Sequence, residues 1–370
     1  MRPEGRTQAA IEILDLVIEA ARDQGPSADV IIADYFRARR YAGSKDRRAV
    51  REIVYDCIRV LGERPASGRA AILGARPDLT DHFTGVGVAP ATLSPEDEPA
   101  APGLAPAWIV ERLGDAADPS LLSRAPIDLR VNALKACREE LMGLGTPIHD
   151  LPYGLTGAPE DIAQRAEYRG GLVEIQDSGS QRITQMAAAR PGMTVIDLCA
   201  GAGGKTLALA ADMRNEGLLI ASDSDRRRLG NVVPRAERAG ASIIETRLLD
   251  PGEETGALAD LTGRADLVLV DAPCSGTGTW RRNPEARWRL TPDRLSRLVS
   301  LQERLLAVAA SLVRPGGALV YAVCSLLPEE GEAQLRRFSE NGFLLAEKKT
   351  LHPRTDGCDG FFIARFEKAC

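Results

Sequence analysis

The chain has 370 residues, of which 44% are hydrophobic and 27% charged, and its formal net charge at pH 7 is −5. This length allows two or three domains with at least one sizeable core, and the charge excludes a polycationic protein. No uncharged apolar run approaches the ~20 residues needed to cross a bilayer. Glu12, Asp15 and Glu19 interrupt any apolar core of a signal peptide, so we expect a cytoplasmic protein without a membrane partner.

The sulfur-containing and imidazole side chains argue against a disulfide framework or a zinc site. The chain has seven cysteines and three histidines, and the cysteines are scattered and never paired as CxxC. An odd, unpaired set of this kind is typical of free thiols in a reducing compartment. We therefore expect no metal, and we expect thiols that remain available for chemistry.

The N-terminal region is predicted to be helical. Apolar residues recur at helical spacing over residues 7–23, 27–40 and 45–62. Residues 1–85 are therefore expected to form an all-α domain.

The next two segments have weaker patterns. Five prolines fall between residues 86 and 106, which predicts a Pro/Ala-rich linker or an irregular wrap. Residues 107–190 are expected to form a small mixed α/β domain, with a strand near 128–134 and a helix near 138–144.

Residues 191–370 predict an α/β domain of Rossmann-like topology. Short apolar runs alternate with helical segments, and the helix at 293–313 is the clearest of these. Such alternation is typical of a mostly parallel, doubly wound sheet. The expected strands are 194–199, 218–223, 242–248, 266–270 and 318–324, followed by an antiparallel edge pair at 342–347 and 360–366.

The first strand of this domain runs into a glycine-rich loop, "DLCAGAGGKT". A Walker A loop would need glycine where Cys199 stands, and a dinucleotide fingerprint would need a third glycine where Thr206 stands. An S-adenosylmethionine loop needs only small residues that let the backbone approach a cofactor. That interpretation is favoured, with NAD as its main competitor, because Asp223, Asp250 and Asp271 follow the next three strands and complete a cofactor crevice.

Two more strand ends carry a thiol. Cys274 lies in "VDAPCSGTGTWRRNPEARWRL" and Cys324 in "YAVCSLLPEE". A single buried cysteine is usually a small hydrophobic residue. Two thiols at neighbouring strand ends, facing a methyl-donor crevice, suit cytosine methylation, because a thiolate that adds to carbon 6 makes carbon 5 nucleophilic.

Several motifs resemble those of a known family. "DLCAGAGGKT", "DAPCSGTG" and "YAVCSLLPEE" resemble the first, fourth and sixth motifs of the Sun-family RNA cytosine-5 methyltransferases. "LRVNALK" and "VEIQDSGSQ" are similar to stretches just upstream in the same family. "GSKDRRAVREIVYDCIR", residues 43–59, resembles the NusB-like helical domain of the RsmB type, which methylates small-subunit ribosomal RNA.

The resemblance implies roles for individual residues. Cys324 would be the nucleophile and Cys274 would assist release of the RNA, while Asp271 and Lys205 would lie beside the base and the cofactor. The residues expected to hold S-adenosylmethionine are Cys199, Ala200, Gly201, Ala202, Gly203, Gly204, Lys205, Asp223, Asp250 and Asp271.

RNA binding is predicted at two basic segments. The arginines expected to contact phosphates beside the active site are Arg281, Arg282, Arg287 and Arg289, with Arg47 and Arg48 as a second footprint in the helical domain. Trp280 or Trp288 could stack on a base, or both could pack beneath the loop.

Together the motifs predict S-adenosylmethionine-dependent methylation of carbon 5 of a cytosine in 16S ribosomal RNA, through a covalent cysteine adduct. Residues 1–85 would be the NusB-like RNA-binding domain and residues 107–190 an RNA-recognition subdomain. The alternatives are a methyltransferase acting on tRNA or large-subunit ribosomal RNA, a small-molecule or DNA methyltransferase, and a non-catalytic RNA-binding assembly factor.

Overall fold

A computed structural model describes residues 1–23, 25–338 and 342–369. The chain divides into two compact units: unit 1 comprises residues 1–124 and 279–292, and unit 2 comprises residues 125–278 and 293–370. This division differs from the expected boundaries at two places. Residues 107–124 belong to the first unit, and so does the segment 279–292, which lies far from the rest of that unit in sequence.

Unit 1 is built from helices. Its α-helices are α1 (Pro3–Asp23), α2 (Ala28–Ala38), α3 (Ser44–Val60), α4 (Gly68–Ala75) and α5 (Ala107–Leu113). Short 3₁₀ helices lie at Pro77–His82, Gly114–Ala116, Pro119–Leu122 and Pro284–Arg289. The apolar face of α3, with Val50, Val54, Cys57 and Ile58 wholly buried, shows the 3.6-residue period that predicted it.

Glycine permits the close approach of α1 and α4. A Cβ atom at Gly68 would lie 2.2 Å from the carbonyl oxygen of Ile11. The Gly68 amide also donates to the Asp15 carboxylate at 2.6 Å. Any larger residue at position 68 would therefore separate the two helices.

The proline-rich segment 86–106 is part of unit 1. Ala100 N donates to the Ala70 carbonyl at 3.0 Å, and Gly103 N donates to the Val60 carbonyl at 2.8 Å. The Arg69 guanidinium pairs with Asp97 at 2.5 Å. Of the two predicted alternatives, a linker or an irregular wrap, these bonds favour the second, because they hold the segment against the helices.

Unit 2 begins with a small antiparallel sheet. Its strands are β1 (Leu129–Val131), β2 (Thr146–Pro147), β3 (Gly154–Thr156) and β4 (Val173–Ile175), in the order β2-β3-β1-β4. The expected strand near 128–134 is thus present but shorter. The expected helix near 138–144 forms as a 3₁₀ helix, Arg138–Leu144.

The large sheet of unit 2 has seven strands. They are β5 (Thr194–Asp197), β6 (Leu218–Asp223), β7 (Ile244–Leu248), β8 (Ala265–Asp271), β9 (Val313–Val323), β10 (Phe343–Leu351) and β11 (Phe361–Lys368). Their order is β10-β11-β9-β8-β5-β6-β7. The five strands from β9 to β7 are parallel, and β10 and β11 are antiparallel at the edge. The predicted α/β fold class with an antiparallel edge pair is confirmed.

Unit 2 also contains α-helices. They are α6 (Ala166–Arg169), α7 (Ser178–Ala187), α8 (Gly204–Asp212), α9 (Arg226–Leu229), α10 (Val232–Ala239), α11 (Glu254–Ala257), α12 (Pro292–Leu312), α13 (Glu332–Phe338) and α14 (Pro353–Asp356). Residues of α7, α8 and α12 share the cores of the large sheet. Alternate residues of β8 enter different cores, Leu267 and Leu269 on one face and Val268 and Val270 on the other. Burial on both faces explains why this strand reads as a continuous apolar run.

Among the described residues, the helices are too short or too polar to cross a membrane.

Candidate active site

The carboxyl ends of the parallel strands form the candidate site. Strand β5 pairs with β6 on one side and with β8 on the other, so the chain reverses its direction across the sheet at β5. In open α/β sheets, ligands bind at this topological switch point. The loops after β5, β6, β8 and β9 meet there because these strands are neighbours.

The glycine-rich loop after β5 is held by the carboxylate that ends β6. Gly201 and Gly203 adopt positive φ angles of 54° and 85°, a region that side chains disfavour. Asp223 accepts one hydrogen bond from Gly201 N and another from Asp225 N, both at 2.7 Å. The predicted acid and the predicted loop are therefore brought together, and Asp223 fixes the backbone of the loop.

A lysine–aspartate pair lies beside this loop. Lys205 Nζ donates to Asp271 Oδ2 at 2.6 Å. Burial alone would lower the pKa of Lys205, but the charge of Asp271 and its hydrogen bond outweigh burial and raise the pKa. Lys205 is therefore a cation at neutral pH.

Asp197, the last residue of β5, is wholly buried. Burial raises its pKa to about 7, although a hydrogen bond from Thr206 Oγ1 at 2.7 Å acts in the opposite direction. Its carboxyl group therefore stays protonated to a much higher pH than that of an exposed aspartate.

The two cysteines predicted to carry the chemistry are adjacent. Cys274 Sγ and Cys324 Sγ lie 3.3 Å apart, because β8 and β9 are parallel neighbours. The hydrogen bond to Cys324 and burial both raise the pKa of Cys274. The Cys274 thiol therefore stays protonated at neutral pH, and its S–H lies within hydrogen-bond distance of the Cys324 sulfur.

A cavity of about 520 Å³ opens at this edge of unit 2, within the size range of small-ligand sites. Four acidic residues, three arginines, three cysteines and several leucines line this cavity. The lining includes Cys199, Asp223, Asp225, Arg228, Leu249, Glu254, Asp271, Cys274, Arg294, Leu298, Leu301, Arg304, Leu305 and Cys324. Asp250 is exposed and is not among the lining residues, although its neighbours Leu249 and Pro251 are. No group of three or more potential metal ligands occurs in the described residues.

Two of the arginines after Cys274 are buried, although the prediction of RNA contacts requires exposed side chains. Arg287 is fully buried, and its guanidinium donates to the carbonyls of Ile58, Leu61 and Pro284. Arg281 is only 7% exposed. The prediction that these two contact RNA phosphates is corrected.

A structural role explains this segment. Ile58 and Leu61 lie at the end of α3, where helical carbonyls lack partners within the helix, and the Arg287 guanidinium supplies donors. Arg289 donates to the carbonyls of Gly25 and Pro26. Arg287 thus holds the end of α3, and Arg289 holds the chain just before α2.

The remaining side chains of the segment pack in the same way. Glu285 accepts a hydrogen bond from Ala28 N at 3.0 Å and so caps the start of α2. Trp288 is 4% exposed within the core of unit 1, and Trp280 is fully buried. Both tryptophans pack internally, which was the alternative to base stacking. Arg282 is half-buried.

The second basic footprint is exposed. Arg47 and Arg48 lie in the first turns of α3 with solvent-accessible side chains, and Arg47 donates to the Ala42 carbonyl at 2.9 Å. Their placement is compatible with phosphate contacts.

Sequence reasoning missed one buried acid. Glu330 is wholly buried and bonds to residues next to both cysteines. The available signal was the repeated Cys-Ser pair, at 274–275 and 324–325, followed by the acids of "PEE". The cysteine of this motif predicts a catalytic role, whereas nothing in the sequence pattern assigns one to the acid.

Comparison with known proteins identifies relatives. A model of the family described as "16S rRNA methyltransferase RsmB/F" matches residues 184–367. The probable ribosomal RNA small subunit methyltransferase B of Synechocystis is 35% identical over 66% of this chain and 60% of its own length. The chain spans about 60 to 66% of the length of the curated relatives that it matches first.

Solved structures share the fold. The crystal structure of PH0851 superposes over 100% of this chain and 99% of its own, with a TM-score of 0.76 and 26% identity. NSun6 from Pyrococcus horikoshii, solved with SFG, covers 71% of this chain and 97% of its own, with a TM-score of 0.64 and 20% identity. Through its residues 184–367, this chain belongs to the RsmB/F methyltransferase family.

Proposed function

We propose that the protein methylates carbon 5 of a cytosine in small-subunit ribosomal RNA, using S-adenosylmethionine. The observation that carries this proposal is the pair of sulfurs, 3.3 Å apart, at the ends of two parallel strands and at the edge of a ligand-sized cavity. Family membership and relatives named as small-subunit ribosomal RNA methyltransferases support the choice of substrate.

The cavity fits a cofactor with both positive and negative groups. Acidic side chains, Asp223, Glu254 and Asp271 among them, face it together with arginines and an apolar leucine wall. Asp223, which already fixes Gly201, is proposed to hold the ribose, with Cys199 to Lys205 around the amino-acid portion and Asp250 flanking the adenine. When bound, S-adenosylmethionine supplies an electrophilic methyl group.

The proposed role of Cys324 is nucleophilic attack. A thiolate at Cys324 forms a bond from sulfur to carbon 6 of the cytosine, and the electron pair of the carbon 5–carbon 6 double bond moves toward carbon 5. The Cys274 thiol donates to that thiolate, and the Lys205 cation lowers the energy of negative charge nearby. Lys205 and Asp271 are proposed to lie beside the base.

The proposed role of Cys274 is in release. Once the Cys324 sulfur is bonded to carbon, it no longer carries the charge that contributes to the raised pKa of Cys274. Cys274 can then release its thiol proton to solvent and, as a thiolate, accept the carbon 5 proton after methylation. The carbon 5–carbon 6 double bond re-forms, the bond from carbon 6 to sulfur breaks, and Cys324 leaves as a thiolate.

The exposed cations of unit 1 are proposed to bind RNA. Arg40, Lys45 and Arg48 have no acidic partner among the described residues, whereas Arg37 and Arg51 form ion pairs. Tyr41 lies between Arg40 and Lys45 in the sequence. Its side chain is 75% exposed and offers a face for base stacking. Unit 1 would thus be the NusB-like RNA-binding part, with Arg47 as a further contact, and residues 125–190 would aid recognition.

Single and double cysteine variants test the chemistry. Cys324→Ala is expected to lower methyl transfer to small-subunit ribosomal RNA by at least about 10³-fold. It should also abolish the covalent complex with RNA containing 5-fluorocytosine. Cys274→Ala should stay covalently bound to RNA without 5-fluorocytosine, which gives a slowly migrating band on denaturing gels. The Cys274→Ala/Cys324→Ala double variant should lose that band. Cys137→Ala, at an exposed cysteine, serves as the control.

Two results would contradict these assignments. Covalent RNA in Cys324→Ala but not in Cys274→Ala would reverse the two roles. Absence of methyl transfer by the wild-type protein to ribosomal RNA, naked or in particles, would exclude the proposed activity. Bisulfite sequencing of the product RNA identifies the modified cytosine.

A further inference from the structure

A buried carboxylate joins the two strand ends that carry the cysteines. Glu330 is 0% exposed. Its Oε1 accepts hydrogen bonds from Ser275 N at 2.8 Å and from Gln302 Nε2 at 2.9 Å. Its Oε2 accepts hydrogen bonds from the hydroxyls of Ser275 and Ser325, the latter at 2.5 Å. One carboxylate therefore receives four hydrogen bonds, which satisfy its lone pairs. All four donors are uncharged groups.

These donors are the residues that directly follow each cysteine. Ser275 follows Cys274 at the end of β8, and Ser325 follows Cys324 at the end of β9. The two hydroxyls also lie 3.0 Å from each other. Because a cysteine and the serine after it share one peptide unit, fixing both serines fixes the backbone that carries both sulfurs.

The surrounding bonds make this arrangement rigid. Gln302, from α12, bridges Glu330 to the Pro273 carbonyl, just before Cys274. Tyr321 donates through its hydroxyl to the Glu330 carbonyl at 2.7 Å, just before Cys324. The chain is thus held on both sides of each cysteine by one acid and its immediate partners.

We propose that Glu330 is a positioning residue, whose carboxylate holds the two strand ends so that the Cys274 and Cys324 sulfurs stay in contact. Glu330 does not touch the sulfurs in this arrangement; it acts through Ser275, Ser325 and Gln302. The catalytic consequence rests on the function proposed above, but the geometric claim does not.

The geometric claim is tested without RNA or cofactor. Diamide, a diazene oxidant, takes up the two hydrogens that the thiols lose when Cys274 and Cys324 form a disulfide, and mass spectrometry of alkylated peptides follows the loss of both thiols. The rate is expected to fall about tenfold in Glu330→Ala, equivalent to roughly one lost charge-assisted hydrogen bond. Glu330→Gln, which keeps an acceptor oxygen, should recover part of that loss.

Glu332→Gln provides a matched control two residues later, where the acid forms an exposed ion pair with Lys348. This variant should oxidise at the wild-type rate. Melting curves identify the variants that remain folded. If Glu330→Ala does not fold, Ser325→Ala replaces it in the test, because this variant removes only one of the donors to Glu330. A folded Glu330→Ala or Ser325→Ala variant that oxidises at the wild-type rate would overturn the proposal.

The catalytic readout separates positioning from binding. If the proposed function holds, Glu330→Gln should lower kcat with little change in KM, because RNA and cofactor contacts remain. A variant in which KM rises by a similar factor while kcat stays unchanged would contradict a positioning role. If the wild-type protein methylates no RNA, the proposed function fails, while the oxidation rates still decide the role of Glu330.

Discussion

Unit 1 buries the guanidinium of Arg287 completely, whereas unit 2 buries the carboxyl groups of Asp197 and Glu330 near its strand ends. Arg287 is surrounded by backbone carbonyls, and burial lowers its pKa only to about 9. Asp197 has a single hydroxyl donor, and its pKa rises to about 7. Glu330 receives four donors.

The difference lies in what the buried charge stabilises. In unit 1, a cation satisfies carbonyls at a helix end, so its role is to hold the fold together. In unit 2, the buried acids lie next to residues that face the cavity. A charged residue near an active-site motif in sequence therefore does not have to belong to the site.

Removing the buried cation is expected to have the largest effect. Arg287→Ala leaves the carbonyls of Ile58 and Leu61 without their donor and should lower the free energy of unfolding of unit 1 by about 3–5 kcal/mol. Chemical denaturation followed by tryptophan fluorescence measures this, since Trp288 is in the same core. Arg48→Ala, at an exposed site, should change stability by less than about 0.5 kcal/mol. Equal stabilities for the two variants would contradict the structural role of Arg287.

Replacing the buried acid Asp197 should alter the pH dependence of the free energy of unfolding. Because the pKa of Asp197 is raised in the folded state, its stabilising contribution is present below the unfolded pKa near 3.8 and is lost as pH rises through about 7. From pH 4 to pH 7 the wild-type protein should therefore lose about 3 kcal/mol relative to Asp197→Asn. Parallel stability profiles for the two proteins across this range would refute the raised pKa.

Replacing Asp223, the acid that holds the glycine loop, should weaken the binding of the cofactor. Asp223→Ala removes the acceptor of Gly201 N and Asp225 N and the proposed ribose ligand. Loss of a charge-assisted bond costs about 1.5–3 kcal/mol, so the Kd for S-adenosylmethionine should rise by about tenfold or more. Asp250→Ala, at an exposed position, should have a smaller effect. Calorimetry with both variants measures the contrast, and an unchanged Kd in Asp223→Ala would reject the assignment.

The smallest effect is expected at the exposed cations of unit 1. Replacing Lys45 and Arg48 with alanine should reduce the salt dependence of RNA binding by roughly one to two units of slope, because each phosphate contact releases condensed counterion. The melting temperature should not change. Filter binding over a range of salt concentrations tests this, with Arg37→Ala, whose side chain is paired with Asp34, as the comparison. Identical slopes for wild type and double variant would remove these residues from the RNA surface.

The layers of the fold follow from local sequence patterns alone. Periods of 3.6 residues gave α1 to α3 to within a few residues, and apolar runs gave the five parallel strands, because both patterns follow from local geometry and burial. The same patterns placed Cys274, Cys324, Asp223 and Asp271 at strand ends, where parallel topology brings them to one edge.

The positions of the arginines in 279–292 depend instead on contacts between distant parts of the chain. The distant partners of Arg287 and Arg289, the carbonyls of Ile58, Leu61, Gly25 and Pro26, are more than 200 residues away in sequence. No periodicity carries information about such a contact, so an arginine that binds phosphate and one that caps a helix look identical in the sequence. Glu330 escaped prediction for the same reason: its donors come from two strand ends and from α12, which become neighbours only when the sheet has formed.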